Sequence, residues 1–119
     1  MSTEQMTVES LRAYLMAARD EDDLAVQMDH SFPLAPRITC ADGFSLSVQA
    51  SHGAYCSPRR NVAEWYQVEV GFPSEPPEAF LSYAEDPDRP TDTVYGYTPI
   101  ELVVAEINRH GGITVKPQP

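Results

Sequence analysis

The stretch Phe44–Phe72 reads FSLSVQASHGAYCSPRRNVAEWYQVEVGF, and the rest of the chain is organised around it. Two runs within it, Ser45–Ala50 and Trp65–Phe72, alternate apolar and polar residues, which is typical of strands with one buried face. In the second run we expect one face to hold Tyr66, Val68, Val70 and Phe72, and the other to hold Trp65, Gln67 and Glu69. The segment between the two runs is polar and contains Gly53 and Pro58. This composition indicates a connection longer than a tight turn.

A hairpin is predicted just before this stretch. Ile38–Cys40 is separated from the first run by Ala41-Asp42-Gly43, and Asp-Gly is a favoured turn pair because glycine accepts a positive φ. Further along, Glu78–Glu85 suggests a short helix, and Val94–Tyr97 and Ile113–Val115 suggest additional strands.

Two longer helices are predicted, one towards each end of the chain. Apolar residues recur at helical spacing from Thr7 to Arg19, with Thr7 as the N-cap. Thr98-Pro99-Ile100-Glu101 has the pattern of a capping box with proline in the first turn. The helix that follows should end at Gly111-Gly112, since glycine favours the left-handed cap.

These elements predict an α+β fold. We expect a small, mostly antiparallel sheet of three to five strands, packed against the C-terminal helix, with an additional N-terminal helix. A chain of 119 residues is the size of one domain, so residues 1–119 are expected to form a single domain. Residues 1–6 and 116–119 are expected to be frayed tails.

The formal net charge of −10 argues against direct binding to nucleic-acid phosphates. Residues 1–30 and 73–93 are acidic, whereas residues 31–72 have balanced charges. The acidic segments suggest either solvated loops or a mimic of nucleic-acid phosphates. We found no apolar run long enough for a membrane span and no signal peptide at the N-terminus, so we expect a cytoplasmic protein that does not bind membranes.

The chemically capable residues of the central connection make no complete catalytic or metal motif. His52 and Cys56 are four residues apart, but zinc sites need three or four ligands and the other candidates are scattered. Cys56 activated by His52 would be a possible nucleophile, although cysteine more often packs as a small buried hydrophobe. We therefore expect no metal and no cofactor, and a small enzyme using Cys56 and His52 is an alternative hypothesis.

A binding surface is the better prediction for this connection. Arginine offers forked donors to phosphate or carboxylate, and aromatic rings can stack on a base or on a guanidinium plane. The competing interpretation is that the arginines form weak salt bridges with the acidic segments. The candidate binding residues are His52, Tyr55, Ser57, Arg59, Arg60 and Trp65.

Several strings between Pro36 and Ile113 resemble a group of small proteins encoded by tailed bacteriophages and prophages. The resemblance implies a context and no specific chemistry, because we associate no activity or site residues with the group. The strings are Ser47-Val48-Gln49-Ala50, Tyr55-Cys56-Ser57-Pro58-Arg59, Val68-Glu69-Val70-Gly71-Phe72-Pro73-Ser74, Val94-Tyr95-Gly96-Tyr97-Thr98-Pro99-Ile100-Glu101 and His110-Gly111-Gly112.

Small acidic phage proteins often act by binding host components. The small size, the acidity, the lack of a complete catalytic motif and this resemblance together lead us to expect a non-enzymatic phage accessory protein of the host cytoplasm that counters a bacterial defence system. It would do so by blocking a host protein, as anti-CRISPR proteins do, or by sequestering a small anionic, nucleotide-like signal. A minor phage structural or assembly protein is a further alternative, and a homodimer is possible.

Overall fold

An antiparallel sheet of four strands is built around the predicted strand–loop–strand unit. The computed structural model describes residues 2–17, 35–51, 53–60 and 64–115. The strand order in the sheet is β2-β3-β4-β5. Its strands are β2 (Ile38–Thr39), β3 (Ser45–Gln49), β4 (Gln67–Gly71) and β5 (Val94–Pro99), and every neighbouring pair is antiparallel. A short 3-10 helix, Glu78–Tyr83, and the helices α1 (Val8–Ala17) and α2 (Ile100–Arg109) complete the α+β fold, as predicted.

The predicted hairpin is confirmed. Strands β2 and β3 pair with Ile38 opposite Leu46, and the turn between them contains Gly43 with φ of 95°. The Gly43 N–H donates to the Cys40 carbonyl at 3.0 Å, which closes the turn. A residue with a Cβ rarely adopts this left-handed conformation, which explains the Asp-Gly signal.

The buried face of the sheet follows the predicted alternation only within the strands. Val48, Val68 and Val70 are fully buried. Tyr66 and Phe72, which we expected on the same face, are 56% and 51% exposed. The expectation was wrong because β4 spans only Gln67–Gly71, so these two residues lie beyond the pleat that sets the alternation.

The N-terminal helix begins as predicted at Thr7. The Thr7 hydroxyl accepts from the Ser10 N–H at 3.0 Å, and the Ser10 hydroxyl accepts from the Thr7 N–H at 2.8 Å. These bonds satisfy N–H groups that the first turn leaves without helical partners. The predicted end at Arg19 lies outside the described residues.

The start of α2 differs from the prediction, whereas its end does not. The Thr98 hydroxyl donates to the Tyr95 carbonyl at 3.1 Å and caps nothing, because Pro99 itself is the N-cap. At the other end the Gly111 N–H bonds the Asn108 carbonyl and the Gly112 N–H bonds the Ile107 carbonyl, each at 3.0 Å. Both glycines have positive φ, and this pattern is a Schellman cap.

The prediction that residues 1–6 are a frayed tail is wrong for the described part of that segment. Strand β1 (Ser2–Glu4) pairs antiparallel with β6 (Ile113–Val115), and Met6 is 5% exposed. The Asn108 side chain accepts from the Met6 N–H at 2.7 Å and donates to the Met6 carbonyl at 2.8 Å. The segment is therefore held by its pairing with β6 and by α2. Residues 116–119 lie outside the described residues.

The core is one cluster of buried side chains from α1, the sheet and α2. Its largest members are Trp65, Tyr95, Phe44, Phe80 and Leu11, each no more than 1% exposed. Apolar residues of α2 join it at Ile100, Val103 and Ile107, so the C-terminal helix packs on the buried face of the sheet. Among the described helices, none is long and apolar enough to cross a membrane.

Candidate functional site

The connection between β3 and β4 is bonded to the sheet at Tyr55. The Tyr55 N–H donates to Oε1 of Glu69 at 3.1 Å, and the Tyr55 carbonyl accepts from the Tyr97 N–H at 2.9 Å. The connection passes close to Gly96, where an added Cβ would lie 3.2 Å from Cβ of Tyr55. The position of the Tyr55 ring is therefore set by β4 and β5.

Three exposed side chains meet at this point. Tyr55 is 42% exposed and Tyr97 is 41% exposed, and their ring centroids are 6.1 Å apart at an angle of 35°. The guanidinium carbon of Arg59 lies 5.9 Å from the Tyr55 ring centroid, within the range of a cation–π contact. Together with the adjacent exposed Arg60, we call these residues the Tyr55 surface.

Arg59 and Arg60 form no ion pair with any residue that the structure describes. No carboxylate of the described residues lies within 4.0 Å of either guanidinium, although such pairs do form elsewhere. The other described arginines each have a polar partner: Arg12 bonds the Trp65 carbonyl, Arg37 bonds the Ser45 and Phe72 carbonyls, Arg89 pairs with Asp92, and Arg109 pairs with Glu106.

Two of the predicted binding residues do not join this surface. Trp65 is fully buried, and its Nε1–H donates to the Arg60 carbonyl at 3.1 Å, so it offers no stacking face. Ser57 is half-buried, and its backbone bonds Gln67 as an added bridge beside β4. Residue His52 lies outside the described residues. Of the predicted binding residues, Tyr55 and Arg59 are therefore exposed neighbours and Arg60 is exposed next to Arg59 in the chain, whereas Tyr97 was not among the predicted residues.

Cys56, the candidate nucleophile of this connection, has a buried thiol. Cys56 is fully buried, and its Sγ donates to the Ser51 carbonyl at 3.2 Å and to the Pro58 carbonyl at 3.5 Å. A nucleophilic thiolate needs access to substrate, whereas this thiol is fully buried. Its surroundings fit a packing role better than the alternative enzyme hypothesis.

A second group of charged side chains lies at the end of α2, and the sequence analysis missed it. His110 is 7% exposed, and its ring stacks on Phe44 with centroids 3.9 Å apart. Its Nδ1 is 2.6 Å from Oδ2 of Asp42, and its Nε2 is 3.0 Å from Oε2 of Glu106. Glu106 is fully buried, and its Oε1 accepts from the Ala79 N–H at 2.9 Å.

Arg109 completes this group, and its guanidinium binds Oε2 of Glu106. We call Asp42, Glu106, Arg109 and His110 the His110 cluster. Arg109 and His110 lie three and four residues after Glu106 at the end of α2, and this helical spacing is visible in the sequence. Asp42 belongs to the hairpin turn, 68 residues before His110, so no local pattern links it to the other three. Since both ring nitrogens of His110 face carboxylates and its ring is buried, the cluster joins α2 to the hairpin turn.

The environment of the cluster changes the pKa values of two neighbouring groups. The pKa of Asp42 is held below its ordinary value by the Phe44 N–H and then by the hydrogen bond from His110. Burial raises the pKa of the Cys40 thiol to about 11, and the carboxylates of Asp42 and Glu106 add to the increase. Cys40 is therefore a neutral thiol at physiological pH.

The acidic segment at residues 73–93 is solvated. All six of its acidic residues are exposed, and two of them form an ion pair with an arginine of the described residues: Asp92 is 3.4 Å from Arg89, and Glu78 is 3.8 Å from Arg109. The sequence left two interpretations of the acidic segments, solvated loops and mimicry of nucleic-acid phosphates. Both require exposed carboxylates, so their exposure does not distinguish between them. Mimicry stays a prediction.

Two cavities lie away from the Tyr55 surface. They have volumes of about 520 and 350 Å³ and are lined by α1, β2 and β6 residues, including Tyr14, Cys40 and Ile113. In the part of the chain that the structure describes, no three His, Cys, Asp or Glu side chains group in a way that could hold a metal ion.

Comparison of the chain with models of protein families, with curated proteins and with solved structures found no match.

Proposed function

We propose that this chain is a non-enzymatic phage accessory protein that binds a host protein through the Tyr55 surface and thereby counters a bacterial defence system. The observation that supports binding is the pair of exposed arginines, without an ion-pair partner among the described residues, beside two exposed tyrosines. Tyrosine and arginine dominate the energetic centres of protein interfaces. The phage context and the defence target rest on the sequence strings alone.

The geometry favours a protein partner over a nucleotide-like ligand. The only tryptophan is buried, and the Tyr55 ring already has Arg59 beside it, so the surface has no free pair of parallel rings to enclose a base. The remaining surface is open, which suits another protein surface better than a small molecule. Since no carboxylate of the described residues pairs with Arg59 or Arg60, we propose that the partner supplies acidic side chains.

The test is affinity capture from bacterial lysate with the immobilised protein, followed by mass spectrometry of the retained proteins and small molecules. We expect the wild type to retain a specific protein that the Arg59→Glu variant loses, because the reversed charge repels acidic groups. The matched control is Arg89→Glu, which makes the same change of charge at an exposed arginine in the acidic segment. Its capture should equal that of the wild type.

The melting temperature of both variants should stay within a few degrees of the wild type, since exposed substitutions change stability by about 0.5 kcal/mol or less. Unfolding of the Arg59→Glu variant, or retention of the same protein by it, would refute the proposal. Specific retention of a nucleotide in place of a protein would favour the signal-sequestering alternative.

A further inference from the structure

The pairing of β4 with β5 contains a bulge that changes the direction of one aromatic side chain. Val70 is opposite Tyr95 and Val68 is opposite Thr98, so one residue of β4, Glu69, faces two residues of β5, Gly96 and Tyr97. In a regular strand Tyr97 would share the buried face with Tyr95, because alternate residues point the same way. Instead Thr98 is fully buried in that place and Tyr97 is 41% exposed.

Tyr97 adopts this position in an unfavourable backbone conformation. Its φ is 52°, in the left-handed region that bulky residues with a Cβ seldom adopt. A glycine would occupy the same conformation without that cost. Strained residues and bulges that redirect a side chain occur preferentially at functional sites, so the outlier itself points to a role for the exposed ring.

The contacts of Tyr97 place it in the Tyr55 surface. Its N–H bonds the Tyr55 carbonyl and its ring lies beside the Tyr55 ring, which in turn contacts Arg59. Phe72 is also exposed and has φ of 47°, but its backbone bonds Thr93 and Arg37 at the other end of the β4–β5 pairing. Phe72 therefore serves as a control with the same conformation in a different place.

We infer that Tyr97 is a partner-contacting residue, turned out of the buried face by the bulge at a cost in folding stability. The inference rests on the proposed function for its partner, which is a protein with an acidic surface. The cost in stability does not depend on any partner and can be measured on the isolated chain.

The first experiment measures that cost with two variants that both remove the ring. The equilibrium constant of folding should be roughly five- to thirty-fold larger for Tyr97→Gly than for Tyr97→Ala. Only the alanine variant keeps the energetic cost of a left-handed backbone conformation. Tyr66 is exposed without a positive φ and gives the control, in which the glycine variant should be the less stable of the two. Equal stability of Tyr97→Gly and Tyr97→Ala, or the opposite order, would overturn the inference.

The second experiment detects the contact directly. The photo-cross-linking residue p-benzoylphenylalanine replaces Tyr97, Phe72 or Arg59 in separate variants, each irradiated in bacterial lysate. We expect one specific protein adduct from positions 97 and 59 and none from position 72.

An adduct from position 59 without one from position 97 would overturn the inference and leave the proposed function standing. If all three positions fail to form an adduct, the proposed function fails as well. A protein adduct of equal yield from positions 72 and 97 would show that exposure alone decides the contact, and would also overturn the inference.

Discussion

The Tyr55 surface and the His110 cluster contain the same kinds of side chain in opposite circumstances. In the cluster, Glu106 is fully buried and bonds Arg109, His110 and a backbone N–H. On the Tyr55 surface, Arg59 and Arg60 are exposed, and neither lies within ion-pair distance of a carboxylate of the described residues. The charges of the His110 cluster are paired with each other within the fold. The charges of Arg59 and Arg60 are exposed and have no ion-pair partner among the described residues.

This difference shows why residue type alone is a poor guide to a functional site. The buried cluster has the histidine, the carboxylates and the arginine that a catalytic site would need, yet every one of its groups faces another group of the same chain. The Tyr55 surface has simpler chemistry, but its arginines and tyrosine rings remain accessible. Accessibility, and the absence of internal partners among the described residues, distinguishes the two regions.

The largest expected effect follows from removing the buried charge of the cluster. Glu106→Gln should lower the free energy of unfolding by about 1.5–3 kcal/mol, because it removes the charge that strengthens the hydrogen bonds of Glu106 to Arg109 and His110. Chemical denaturation measures the change. Glu101→Gln, at an exposed position of the same helix, is the control and should change stability by about 0.5 kcal/mol or less. Similar values for both variants would show that the cluster contributes little to the fold.

An intermediate effect is expected from the pH dependence of Asp42. The pKa of Asp42 is lower in the folded chain than its ordinary value of 3.8 in the unfolded chain. Its contribution to the free energy of unfolding is therefore complete above pH 3.8 and is lost as the pH falls through the pKa of the folded state. Asp42→Asn should therefore flatten the acid limb of a stability–pH curve measured by denaturation below about pH 4. An unchanged slope would contradict the hydrogen bonds assigned to this carboxylate.

The smallest effect is expected where the charges have no internal partner. The double variant Arg59→Ala and Arg60→Ala should change the free energy of unfolding by no more than about 0.5 kcal/mol per site, since exposed side chains without strong contacts contribute little. The same denaturation experiment measures it. A loss comparable to that of Glu106→Gln would mean that the arginines support the fold, and would remove the contrast between the two regions.

Local signals predicted the secondary structure well where the decisive interactions are local. The turn at Gly43, the alternation in β3 and β4 and the glycine cap of α2 all depend on residues close in sequence. The capping box at Thr98–Glu101 failed because Thr98 was placed in a buried β5 position by the bulge and bonds the Tyr95 carbonyl. The frayed N-terminus failed because β1 pairs with β6, at the other end of the chain.

The candidate site was predicted only in part for the same reason. Tyr55, Arg59 and Arg60 are polar or amphipathic residues of a connection, and such residues are usually exposed. Trp65 has the same sequence context but is buried, because its place is decided by packing in the core cluster. Tyr97 lies in a predicted strand, and only the β4–β5 register shows that a bulge turns it outwards.

The sequence by itself determined the α+β class, the β2–β3 hairpin, the limits of α2 at its glycine cap and the separation of acidic from charge-balanced segments. Each depends on propensities, turn residues or periodicity within a few positions. Tertiary structure alone decided which charges are satisfied: it brought Asp42 to His110, buried Trp65 and Cys56, left Arg59 and Arg60 unpaired among the described residues, and exposed Tyr97. Pairing and burial depend on contacts between distant parts of the chain, and no local pattern encodes them.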